Sequence, residues 1–137
     1  MNYKTHILLL VTLILVSTSN LVFSDESIIH LNCVYDFTID EKGQRVETSG
    51  EELFTIKSAG NNSIRIKKDD VDAEFIGIIS DETIYGITQY KIDEIGIKQE
   101  FNVNRYNGKF SLTFESIETS NWLIYYGKCK KLVEKLF

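Results

Sequence analysis

The side chains best suited to chemistry in this chain are few and far apart. His30 is the only histidine beyond His6. A Ser-His-Asp or Cys-His site would have to be assembled around it without any Gly-x-Ser-x-Gly element. Asp69, Asp70, Asp72 and Glu74 put four carboxylates within six residues, and calcium does take clustered oxygens. The run lacks the glycine and distal glutamate of a calcium loop, so Asp69, Asp70 and Asp72 read as a solvated acidic turn before they read as metal ligands. No two acids are fixed at the separation that glycoside hydrolysis requires. One histidine and two cysteines make a poor zinc set. These types and spacings specify no catalytic residue, metal site or cofactor.

Arg105 is the charged residue of most interest, because it shares a face with Phe101 and Val103 in an alternating segment. There its guanidinium could meet a ligand carboxylate at the mouth of a barrel. The competing and commoner arrangement lays the stem over Phe110 and keeps the head in water. Tyr35, Phe37, Trp122 and Tyr125 read first as core and only then as ligand-stacking rings. Asn61-Asn62-Ser63 matches a glycosylation sequon, a short pattern that often arises by chance.

The elements that must hold these residues are strands. Ile29, Leu31, Cys33, Tyr35, Phe37 and Ile39 alternate with His30, Asn32, Val34, Asp36 and Thr38, which specifies one dry face and one mostly wet one. Charged, Gly-punctuated text from Asp40 to Glu52 predicts a long exposed connection. Shorter strands follow at Leu53–Lys57, around Ile64 and Ile66, and at Ala73–Ile79 and Thr83–Lys91, with turns at Ser58–Ser63, Asp81-Glu82 and Asp93–Gly96. Asn107-Gly108, between two alternating segments, predicts a two-residue type I′ turn. That turn would pair Tyr106 with Lys109, Arg105 with Phe110, Val103 with Leu112 and Phe101 with Phe114. Trp122–Lys128 reads as the last strand, apolar on both faces, with Trp122, Ile124 and Tyr126 on its outer side. Leu132, Val133, Leu136 and Phe137 are spaced for a short helical turn in the tail.

The first two dozen residues predict a secretory leader over 1–24: a polar start with Lys4, an apolar run from Ile7 to Val16, then small polar residues. Val22 and Ser24 suit a cut before Asp25, and Ser17 and Ser19 offer an earlier one at Asn20. The apolar run is short for a bilayer span, so no stable membrane span is expected after cleavage. The remaining 25–137 suit a single domain. Removing Lys4 from the 15 basic side chains leaves 14 against 20 acidic ones, a net charge of −6, which argues against nucleic acid and against anionic membrane surfaces. Lys128, Lys130, Lys131 and Lys135 form a small basic cluster that reads as a solvated end. In an exported chain Cys33 and Cys129 suit a disulfide between the first and last strands.

About eight strands joined by short turns make an all-β antiparallel meander. If the cysteines pair, its ends must meet, so the meander curls into a small barrel or folds over as a sandwich. An N-terminal strand cysteine, the run Arg105-Tyr106-Asn107-Gly108-Lys109-Phe110 and a closing Gly127-Lys128-Cys129 resemble the small uncharacterised bacterial exported β-meander proteins. The resemblance implies a periplasmic setting and the cysteine pairing, and it brings no activity with it; the leader by itself predicts an exported protein, periplasmic or secreted. The expected role is a non-catalytic binding or interaction module for a protein partner, with Arg105, Tyr35, Tyr125, Trp122 and Tyr126 as candidate contacts. A small apolar ligand held in a lipocalin-like barrel is the alternative. An enzyme with an unrecognised carboxylate site comes last.

Overall fold

The computed structural model describes residues 28–69 and 73–132. The expected leader, Asp70, Asp72 and the tail from Val133 lie outside the described residues. Among the described residues nine strands follow one another: β1 (Ile28–Asp40), β2 (Arg45–Glu47), β3 (Glu51–Gly60), β4 (Ser63–Lys68), β5 (Glu74–Ile79), β6 (Thr83–Ile92), β7 (Ile95–Asn104), β8 (Lys109–Ser116) and β9 (Trp122–Leu132). Each pairs antiparallel with its neighbour from β3 to β9, and β1 pairs with both β3 and β9. The sheet therefore closes into an eight-stranded up-and-down barrel, with β2 as an extra strand beside β1.

Closure is fastened by Cys33 and Cys129, which sit directly opposite each other across the β1–β9 seam. They are disulfide-bonded, with Cα atoms 3.9 Å apart and a sequence separation of 96. Beyond them β1 bulges between Tyr35 and Phe37, where the strand must bend to close. Gly127 makes that approach possible: a Cβ there would lie 1.9 Å from the Val34 carbonyl oxygen.

The core follows from period-two alternation. Leu31, Phe54, Ile56, Ile66, Phe75, Phe101, Val103, Phe110 and Leu112 project inward and are buried. Phe101 stands at the centre, its ring 4.7 Å from Phe54, 5.6 Å from Phe110 and 6.1 Å from Phe75 between centroids. Aromatic rings thus fill the middle of the barrel, as small barrels require.

Three expectations are corrected. The stretch 40–52 is not wholly a loop, because Phe37–Ile39 takes Arg45–Glu47 as partner. Asp40 Oδ1 accepts the Lys42 and Gln44 amides at 3.0 and 2.8 Å, tightening the chain so that it can return as β2. The tail does not begin with a helical turn, since Lys130, Lys131 and Leu132 continue β9 against Asn32, Leu31 and His30; the seam satisfies their backbone groups.

The third correction concerns register. Val103 pairs with Phe110 and Phe101 with Leu112, two residues away from the pairing a type I′ Asn107-Gly108 would give. The loop is Arg105–Gly108, and only Gly108 has positive φ, at 71°. The Asn104 side chain has taken over the turn: its Oδ1 accepts the Tyr106 and Asn107 amides at 2.9 and 3.2 Å. A shift of two preserves the faces, so the inward set is unchanged. Type I′ signatures fall instead at Asn61-Asn62, with φ of 49° and 63°, and at Asp93-Glu94, with 47° and 70°.

Gly108 also touches the seam. Its carbonyl accepts the Cys129 amide at 2.9 Å, and a Cβ there would lie 2.6 Å from the Cys129 carbonyl oxygen. Gly108→Ala therefore combines a left-handed backbone with a backbone clash and is expected to lose about 2 kcal/mol. Urea denaturation checks this, and an unchanged midpoint would mean the loop relaxes freely.

Candidate functional site

The β3–β4, β5–β6 and β7–β8 turns lie with the start of β1 and the end of β9 at one end of the barrel, where the Ile79 and Arg105 amides reach the Asn62 and Glu82 carbonyls. At this mouth the inward-facing rows run one step past the packed core. Arg105 continues the row of Phe101 and Val103, and Lys131 continues that of Cys129. Beneath them Ile29, Leu31, Ile84, Val103 and Cys129 line a depression of about 240 Å³, with Arg105 and Lys131 at its edge. The Arg105 side chain is not draped over Phe110; its Nη1 donates to the Ser80 carbonyl across the mouth. The corrected register explains this, because Phe110 faces Val103.

The opposite end of the interior is polar. Glu52 Oε1 and Lys68 Nζ form an ion pair of 2.7 Å, with Lys68 buried. Gln99, also buried, donates from Nε2 to the Tyr90 hydroxyl at 2.6 Å. Burial holds the Tyr90 hydroxyl above the ordinary tyrosine value, while the Lys68 charge and the Gln99 bond pull the other way. Glu52 Oε2 is buried without a hydrogen-bond partner among the described residues, so this end is incompletely satisfied. Nearby, both oxygens of Glu118 accept the Gly96 amide, at 2.9 and 3.1 Å. That bond holds the Glu118 carboxyl below its ordinary value.

The remaining candidates divide between core and wall. Tyr35 and Tyr125 face inward with centroids 4.9 Å apart, and Phe110 and Phe114 close around them. Trp122, Ile124 and Tyr126 lie on the outer wall and are half-buried. Tyr126 stacks on Phe37 at 5.0 Å, and the Arg45 guanidinium lies 3.8 Å above the Phe37 ring. Strand β2 thereby caps one end of that apolar face. His30 is half-buried with Nδ1 3.1 Å from Thr55 Oγ1. Asp69 is exposed, and no group of three or more potential metal ligands occurs among the described residues.

Counting by twos from the buried residues would have found what sequence reasoning missed. Lys68 follows Ile64 and Ile66, Gln99 precedes Phe101, and Lys131 follows Cys129 at that spacing. Their polarity hid their inward placement. The most exposed large apolar residues on the barrel wall, Ile76 at 66% and Ile78 at 58%, were also passed over, because an apolar run gives no face.

The fold and these surfaces define a disulfide-closed, up-and-down β-barrel with a filled interior. No family model, curated protein or solved structure matches the chain. Among the described residues no helix is long and apolar enough to cross a membrane, and the disulfide is compatible with an exported protein.

Proposed function

We propose that the protein is an exported, non-catalytic binding module that recognises a protein partner through the outer wall formed by β5 and β6. The observation that carries this reading is the pair Ile76 and Ile78, held in the open by a rigid sheet. Their cross-strand neighbours Ile87 and Tyr85 extend them into a four-residue apolar strip. The Arg65–Glu74 ion pair at 3.4 Å and Glu100, opposite Ile87, give it a charged margin. An apolar centre with a polar rim is how protein interfaces are built. Burial, then the Glu100 charge, raises the Tyr85 hydroxyl above its ordinary value, so it stays a neutral donor at the rim. Closure leaves the eight barrel strands no free edge, which favours recognition by side chains over strand addition.

The packed aromatic centre weighs against a ligand threaded deep into the barrel. Tagged protein returned to its native envelope fraction is expected to retain a partner. Ile76→Ser/Ile78→Ser should weaken that retention tenfold or more, the order expected from two exposed isoleucines losing their burial. Ile92→Ser, at an exposed hairpin tip, should leave it intact. Retention that ignores the strip, or that Ile92→Ser abolishes equally, would refute the reading.

A further inference from the structure

We propose that the mouth depression is a binding site for a small amphipathic monoanion, a short-chain or aromatic carboxylate. Its apolar body would rest on Ile29, Leu31, Ile84 and Val103, with its charge between Arg105 and Lys131. The site lies apart from the β5–β6 strip and does not depend on the partner reading.

Three observations converge on this chemistry. First, the floor is apolar while the lining contains two cations and no carboxylate. The chain is acidic overall, with a net charge of −5, yet the charged residues lining this depression are both cations. Asp81 meets Arg105 in a separate depression on the Ser80 side, and Lys109 and Lys128 lie opposite each other across β8 and β9. Second, neither Arg105 nor Lys131 makes an ion pair among the described residues. Arg105 is nonetheless held in place, by its Nη1 bond to the Ser80 carbonyl and its amide bond of 2.8 Å to the Glu82 carbonyl. A guanidinium fixed by one donor keeps others for a carboxylate and has less freedom to lose on binding. Third, the volume of about 240 Å³ equals roughly eight water molecules' share of liquid, which suits a ligand of about that many non-hydrogen atoms. The disulfide and the Val103 and Phe110 side chains prevent deeper entry.

The test is a titration of the intact, oxidised protein with hexanoate, hexanol and inorganic phosphate, followed by amide NMR shifts. Hexanoate is expected to bind saturably and to shift the amides of Ile84, Val103 and Gly108. Hexanol lacks the charge and phosphate lacks the apolar body, so each should bind at least tenfold more weakly. Arg105→Gln and Lys131→Gln should each weaken hexanoate about tenfold while the melting temperature stays that of the parent. Decanoate should gain nothing over hexanoate, because the floor is closed. Equal binding of hexanol and hexanoate, charge variants that bind as the parent does, or shifts confined to other surfaces each overturn the proposal. A steady gain with every added methylene would show that the chain enters the packed interior, and would overturn it as well.

Discussion

Replacing both seam cysteines, Cys33→Ala with Cys129→Ala, is expected to lower stability by about 4–5 kcal/mol and the melting temperature by about 20 °C. The size follows from the 96 residues the bond spans, since closing so long a loop removes much of the unfolded chain's freedom. A domain of this size has a total stability of about 5–15 kcal/mol, so the variant would sit near its unfolding threshold at body temperature. Calorimetry of the oxidised parent, the reduced parent and the double variant would decide it. Reduced parent and variant should melt together, well below the oxidised form. A difference under about 1 kcal/mol would show that the closed sheet holds its own ends together and that the bond only records the fact.

The second large effect is expected at the polar end of the interior. Lys68→Met leaves the Glu52 carboxylate beside a packed aromatic core without its cation, and should lose about 3 kcal/mol at neutral pH. The low end of the usual range is appropriate because the Glu52 and Lys68 side chains keep 19% and 10% of their exposure. Glu52→Leu combined with Lys68→Met should return to within about 1 kcal/mol of the parent, because removing both ions removes the desolvation penalty along with the attraction. Urea titrations of the two single variants and the double would yield the coupling. If the double variant is as unstable as Lys68→Met alone, the damage comes from packing and the ion pair contributes little.

How much of this molecule could be read in its sequence depended on whether a residue's type and its position agreed. The alternation matched the observed faces from Ile29 to Tyr35, but the bulge between Tyr35 and Phe37 reverses it, so Thr38 is buried while Phe37 stacks on Tyr126 on the outer wall. The placement of Cys33 and Cys129 in the first and last strands foretold the closure. At Asn107-Gly108 the faces were right and the pairing wrong by two. A dipeptide rule does not see Asn104, three residues upstream, whose side chain captures the loop amides. The candidate site was partly legible: Arg105 at the mouth followed from parity with Val103. Lys131, Lys68 and Gln99 share that parity argument but are polar, and polarity in an alternating segment points to solvent. Strand β2 left almost no signal, being three exposed residues held by their neighbour and by the Asp40 turn.

The seam has a temporal meaning. Strands β1 and β9 are the first and last parts of the barrel to emerge from any vectorial process, yet each is the other's partner along ten registered residue pairs. Every intermediate short of the final strand must therefore hold β1 with one side unmatched, a ready template for a neighbouring chain. Contacts of such long sequence separation also form slowly. An oxidant that traps Cys33 before β9 arrives could join it only to a thiol of another molecule, so the timing of oxidation relative to the arrival of Cys129 governs whether the product is one barrel or a covalent pair.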